Sequence, residues 1–204
     1  MGWWTDRVVP RVVDRALAGE EVQARREAAC RGLRGTVLEL GFGSGRNVPH
    51  YPPAVTRVWV VEPSDVAWAM AQERREASPV PIDRVGLDGA RLERPDGSVD
   101  HVLSTFTLCT IPDVEGALRE VRRVLAPGGT FHFLEHGLAP DPAVSRWQHR
   151  LDGVNAAVGG GCHLTRSVAD LLAGSGLEVI ELAQAYAPGL KPFGYLSAGV
   201  ARRT

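Results

Sequence analysis

Apolar positions change spacing repeatedly along the chain, and each change marks an expected element. The stretches from Arg7 to Ala18 and from Glu20 to about Cys30 read as helices broken by Gly19. The run TVLEL, Thr36 to Leu40, is a short β-rich apolar segment ended by glycines, and Arg57 to Pro63 gives a second strand. Ser64 is placed to cap a helix carrying Val66, Ala67, Met70 and Ala71 through to Glu76. A short apolar pulse at Val80 to Val85 comes after it, then a strand over Val99 to Ser104. Asp113 caps a helix to Leu125, the APGG run ends it, and Thr130 to Glu135 is the next strand. A helix around Val144 to Ala157, the triple glycine Gly159 to Gly161, and a helix from Ser167 to Ala173 capped by Thr165 come next. Strands near Leu177 to Gln184 and Gly194 to Ala201 close the chain, joined without a long helix and so expected as an antiparallel hairpin. Strands alternating with helices in this way imply an open α/β sheet.

Composition narrows the reading. At 204 residues, 44% hydrophobic and 23% charged, the chain is ordinary for a globular protein. It is expected to form a single domain, residues 1–204, with a helical cap over 1–32 and an insertion-like segment over 137–165 covering a substrate site. A formal charge of -1 gives no global reason to expect nucleic acid as a partner. Cys30, Cys109 and Cys162 are widely separated and odd in number, which fits a reducing compartment better than a disulfide framework. With no signal-peptide pattern and no long apolar run, a cytoplasmic location is expected. Trp3 and Trp4 beside Val8, Val9, Val12 and Val13 allow weak membrane-surface contact or docking onto the protein itself.

The first chemical signal is ELGFGSGRN, Glu39 to Asn47. Glycines at the point where a strand turns towards a helix let backbone approach a ligand closely and free N–H groups for it. Gly41, Gly43 and Gly45 make GxGxG, whereas a dinucleotide loop would want its third glycine where Arg46 stands. Glu62 lies at the end of the next strand, where a carboxylate can accept from both ribose hydroxyls of an adenosine. Together they indicate an adenosine-containing ligand other than a dinucleotide.

On these residues the sequence resembles the class I S-adenosylmethionine-dependent methyltransferases, whose motif is an acid, a hydrophobic residue and GxGxG. The resemblance implies a Rossmann-like seven-stranded α/β sheet with helices on both faces and a C-terminal antiparallel hairpin, and S-adenosylmethionine as cofactor with S-adenosylhomocysteine as product. It implies cofactor contacts from Glu39, Gly41, Phe42, Gly43, Gly45 and Asn47, and ribose contacts at Glu62 with Pro63. Asp88, Gly89 and Ala90 resemble the adenine-binding turn, and Thr105 and Phe106 would flank the cofactor after DGSVDHV. The run LREVRRVLAPGGTFHFLEH, Leu118 to His136, resembles the family's passage from helix to fifth strand. More narrowly, YPP, TLCTI, FLEH and GGCHLTR are similar to the thiol S-methyltransferase branch of the type 11, ubiquinone-biosynthesis-like group. That likeness implies methyl transfer to a small, fairly apolar acceptor, with a thiol as the specific expectation. Oxygen, nitrogen or carbon acceptors are the alternatives, and a non-catalytic adenosylmethionine-binding module or a nicotinamide dehydrogenase are the rivals.

A thiol is partly ionised at neutral pH and needs little base catalysis, whereas an alcohol needs a positioned base. His136, at a strand end, and His163, beside the triple glycine, are the candidate catalytic bases, while His149 is expected at the surface. Substrate walls are expected from Trp3, Trp4, Val8, Phe106, Leu108, Trp147, Leu151 and Val154. Cys109, Cys162, His136 and His163 invite a metal reading, but they are scattered and no paired cysteine spacing fixes a zinc site, so no metal is expected. The expected partner is a small-molecule substrate, to a monomer or homodimer.

Overall fold

The computed structural model describes residues 4–204. Trp3 lies outside the described residues. A π-turn over Trp4–Val8 leads into α1 (Val9–Ala16), and α2 spans Glu20–Cys30. The strands are β1 (Gly35–Leu40), β2 (Val55–Val61), β3 (Ile82–Gly86), β4 (Val99–Thr105), β5 (Leu125–His136), β6 (Glu178–Tyr186) and β7 (Tyr195–Arg202). Between them lie α3 (Asp65–Met70), α4 (Gln72–Glu76), α5 (Val114–Val124), α6 (Pro142–Val158), α7 (Val168–Gly174) and the single turn α8 (Lys191–Gly194). The seven strands form one sheet in the order β3-β2-β1-β4-β5-β7-β6. Strands β1 to β5 pair in parallel, and β7 runs antiparallel to both β5 and β6. This is the expected Rossmann-like sheet with its terminal hairpin.

Alternation along the central strands supplies two cores, one per face. On one face Leu38, Leu40, Val102, Phe131 and Phe133 pack with Leu118 and Val121 of α5 and Leu172 of α7. On the other, Val37, Val58, Val60, Leu103 and Leu134 pack with Ala29 and Cys30 of α2. The connection from β1 crosses outward to β2, while β4 lies on the other side of β1, so chain order reverses between β1 and β4. Ligands of open α/β sheets bind outside the carboxyl ends of the strands at such a point.

Three local expectations change. The helix after Ser64 is divided at Ala71, although Ser64 does cap it, accepting from the Ala67 N–H at 3.1 Å. Strand β5 begins at Leu125 rather than Thr130: Leu125 pairs with Val99, the APGG residues bulge out, and the ladder resumes with Thr130 opposite His101. Ser167, not Thr165, caps α7, because Thr165 is held by its own N–H to Asp152.

Candidate functional site

The turn after β1 is built from left-handed backbone. Gly41, Gly43 and Gly45 have φ of 67°, 57° and 77°, values that L side chains rarely adopt. Each glycine has a different surrounding. A Cβ on Gly41 would overlap the Thr107 side chain, one on Gly45 would press on Ala71 and the Phe42 ring at 3.2 and 3.3 Å, and one on Gly43 would meet nothing within 4 Å. Gly43 instead faces a cavity of about 840 Å³ that opens over the carboxyl ends of β1, β2 and β4. Its N–H donates to Glu62 Oε2 at 2.6 Å, and the Ser64 N–H donates to Oε1 at 2.7 Å. Burial pushes the Glu62 carboxyl up, and these two backbone bonds oppose it.

Ten of the expected cofactor residues line this cavity: Gly41, Phe42, Gly43, Glu62, Pro63, Asp88, Gly89, Ala90, Thr105 and Phe106. The Asp88–Ala90 turn is set by Asp88 Oδ1 accepting from the Ala90 N–H at 2.9 Å. Phe106 has φ of 55°, the one positive value outside glycine among the described residues, and lies under the Arg26 guanidinium at 5.2 Å.

Glu39, Asn47 and Gly45 do not line the cavity but support its floor. Glu39 is buried and accepts from Asn47 Nδ2 at 3.0 Å and from the Tyr51 hydroxyl. Asn47 also donates to Thr105 Oγ1 at 2.9 Å, and Arg26 Nη1 donates to Asn47 Oδ1 and Thr105 Oγ1 at 2.8 and 2.7 Å. One buried cation and one buried carboxyl thus share a polar knot that joins α2, the glycine turn and the end of β4. Burial pushes the Glu39 carboxyl up to about 7, against the bonds from Tyr51 and Asn47.

The opposite wall comes from α1, which places Pro10, Val13 and Asp14 on the cavity, and from Leu17 just after it. Asp14 accepts a forked pair of bonds from Arg46, both at 2.8 Å, and another from the Ser44 hydroxyl. Burial would raise the Asp14 carboxyl, but the Arg46 and Ser44 bonds outweigh it and hold it below the ordinary range. Farther along the cap, the Trp4 indole N–H donates to the Val158 carbonyl at 3.0 Å. Sequence reading missed Asp14, Ser44, Arg46 and Arg26. A separation of 32 positions from Asp14 to Arg46 leaves no local signal, although Arg46 standing in place of glycine was visible.

The expected bases lie elsewhere. His136 turns its Nε2 to Cys162 Sγ at 3.1 Å, and His163 Nδ1 pairs with Asp152 Oδ2 at 2.9 Å; neither lines the cavity. The neighbouring Glu135 is fully buried, accepting from Ser104 Oγ at 2.6 Å and from the Thr107 and Leu108 N–H groups at 2.8 and 3.1 Å. It shapes the turn after β4 from below. The expected walls also change: Leu108 is core, Trp147 and Val154 are exposed, and no α6 residue meets the cavity. Of the segment 137–165, only Gly160 and Gly161 do.

Residues 38–133 match a protein-family model described as a methyltransferase domain, and the sheet that carries them has the class I methyltransferase fold. The rat thiol S-methyltransferase TMT1B is 36% identical over 64% of this chain and 55% of its own. The human thiol S-methyltransferase TMT1A is 34% identical over 75% of this chain and 64% of its own. The chain therefore spans somewhat more than half the length of these curated relatives. A solved S-adenosylmethionine-dependent methyltransferase from Methanosarcina mazei superposes with a TM-score of 0.63 at 17% identity, covering 82% of this chain and 92% of its own. That likeness is one of fold.

The residues present fit S-adenosylmethionine. Glu62 offers an acceptor for ribose hydroxyls, the open side of Gly43 leaves room against the glycine turn, and the Asp88–Ala90 turn lines the far end for adenine.

Proposed function

We propose that this protein methylates a small, fairly apolar thiol. When bound, S-adenosylmethionine supplies an electrophilic methyl group on a sulfonium. The observation that carries the acceptor is the absence of a strong base: among the described residues, no His, Lys, Tyr or Cys lines the cavity. Its ionisable lining consists of arginines and the carboxyls Asp14, Glu62, Asp88 and Asp113, and Asp14 is held as a poor base by Arg46. An alcohol would need its proton taken in the transition state, whereas a thiol of pKa about 8.5 is already a few per cent thiolate at neutral pH. Val13, Leu17, Leu40, Leu87, Phe106 and Ile111 supply apolar wall for such an acceptor. The similarity to TMT1A and TMT1B, both named thiol S-methyltransferases, supports the same reading.

The chain's own contribution is then positional. The glycine turn and Glu62 fix one partner, α1 and Phe106 exclude water, and alignment of the two reactants supplies the rate. Transfer of labelled methyl to aryl thiols, phenols and amines of matched size tests this. Turnover restricted to thiols, with a pH dependence that shifts with the acceptor's own pKa, is expected. Turnover of phenols or amines in preference to thiols, or cofactor binding with no turnover of any class, overturns it.

A further inference from the structure

Cys109, His136 and Cys162 stand far apart in sequence, yet their ligating atoms all lie within 4.8 Å of one another. They come from three places: the turn after β4, the end of β5, and the loop after α6. Each place has its own hydrogen bonds, and two of the places are also bonded to each other. The Cys109 turn is fixed by the Thr110 N–H and hydroxyl, both donating to the Thr107 carbonyl at 2.8 Å, and the Cys109 carbonyl accepts from the His163 N–H at 3.0 Å. The Cys162 carbonyl accepts from Asn155 Nδ2 at 2.6 Å, and Asp152 accepts from the N–H groups of Leu164 and Thr165 just beyond it. His136 sits in the β5–β7 ladder opposite Leu196.

Geometry and chemistry select a cation class. Tetrahedral zinc with Zn–S of about 2.3 Å and Zn–N of about 2.0 Å holds two sulfurs roughly 3.8 Å apart and sulfur roughly 3.5 Å from nitrogen. A cluster within 4.8 Å, whose Cys162–His136 edge is 3.1 Å, reaches those separations by side-chain adjustment alone. Two sulfurs and an imidazole are soft ligands, unsuited to magnesium or calcium, which take oxygen. His136 Nε2 faces the sulfur, while its Nδ1 is buried without a partner, so Nε2 is the nitrogen aimed at the cluster.

We propose that Cys109, His136 and Cys162 form a binding site for a zinc-class cation. The thiol protons leave to solvent as the metal binds, giving two thiolates and one neutral imidazole. No fourth His, Cys, Asp or Glu joins the group among the described residues, so a fourth coordination position is left to water or a small molecule. The site stands beside the methyl-transfer cavity, since Thr110 and Gly161, the neighbours of Cys109 and Cys162, line that cavity. The proposal does not depend on which acceptor is methylated.

The test uses the full chain, reduced, freed of metal with a chelator and titrated with cobalt(II) under anaerobic conditions. Saturable thiolate-to-cobalt charge-transfer absorption at one equivalent, displaced by zinc, is expected. Cys109→Ala and Cys162→Ala are expected to weaken cobalt affinity at least about tenfold and to reduce that absorption, with Cys30→Ala as the control that leaves it intact. No charge-transfer band in the unaltered protein, or a band unchanged by both substitutions, overturns the site. A second measurement needs no variant: zinc is expected to slow alkylation of Cys162 and Cys109, mapped by mass spectrometry, with Cys30 as internal reference. Alkylation indifferent to zinc, or a Cys109–Cys162 disulfide in place of metal binding, also overturns it.

Discussion

The Gly43 N–H donates to Glu62 Oε2 at 2.6 Å, so the glycine turn after β1 and the acid at the end of β2 are positioned by each other. Glu62→Ala should therefore do two things at once. It removes the ribose acceptor and leaves the Gly43 and Ser64 N–H groups without their carboxylate. Bonds to a charged group contribute about 1.5–3 kcal/mol each, so adenosylmethionine affinity should fall at least about tenfold by calorimetry. Glu62→Asp should recover little, because its carboxyl stops short of Gly43. Unchanged affinity in Glu62→Ala would remove Glu62 from the site.

Gly41→Ala and Gly43→Ala should separate folding from binding. Both place a Cβ on left-handed backbone, but only the first meets the Thr107 side chain. Gly41→Ala should lower the denaturant midpoint by the equivalent of about 2 kcal/mol or more. Gly43→Ala should cost about 1 kcal/mol of stability and a larger share of cofactor affinity, because its Cβ enters the cavity. Equal stability losses with equal affinities would mean that the turn is not shaped for a ligand.

Buried Glu39 makes stability depend on pH in an unusual direction. Its carboxyl is pushed from the ordinary 4.5 up to about 7, so the folded protein keeps a proton that the unfolded chain releases. The stabilisation is complete below pH 4.5 and is lost as pH rises towards 7, a span of about 3 kcal/mol. Glu135, also pushed up to about 7 by burial, contributes in the same sense. Glu39→Gln keeps an acceptor for Asn47 and should flatten about half of this slope in urea midpoints taken across that range. A slope no shallower than that of the unaltered protein would place the proton elsewhere.

The Asp14–Arg46 pair closes α1 over the cavity, with both side chains about one-fifth exposed. Exposed pairs are worth about 0–1 kcal/mol, and this partly shielded, forked one should lie at the upper end. Asp14→Asn should raise amide exchange across residues 9–18 and weaken cofactor binding a few-fold, with little change in global stability. Because Asp14 is held below the ordinary carboxyl range, the pair's contribution is present at neutral pH and is lost as pH falls through that depressed value. Exchange in α1 indistinguishable from the unaltered protein would show that the pair does not hold the cap.

Local chemistry made much of this legible in advance. The bounds of α2, Glu20 and Cys30, were set by Gly19 and the end of the apolar pattern, and Asp113 and Ser64 both cap as hydroxyl or carboxyl side chains do before a helix. The cofactor residues on the cavity come in short runs along the chain, so their sequence carried their place. His136 misled because a strand end fixes position but not direction: its ring turns away from the cavity to Cys162. Trp147 and Val154 misled because α6 is tied instead to α8 and the end of β5, through Gln148 bonded to Pro192 and Gly137. The cysteine and histidine residues of the cluster were visible one by one, but their meeting was not, because two loops and a strand end bring them together and no spacing records it.

The knot of Arg26, Asn47, Thr105 and Glu39 also bears on where this structure can be cut. The stretch that matches the family, 38–133, contains three of those residues but omits Arg26, the cation that binds two of them, along with the α1 wall and the strand β7 that covers β5. A fragment trimmed to the region of shared sequence would bury Glu39 with its counter-charge removed and leave β5 as a bare sheet edge. The unit inherited by resemblance is smaller than the unit that can hold its own ligand.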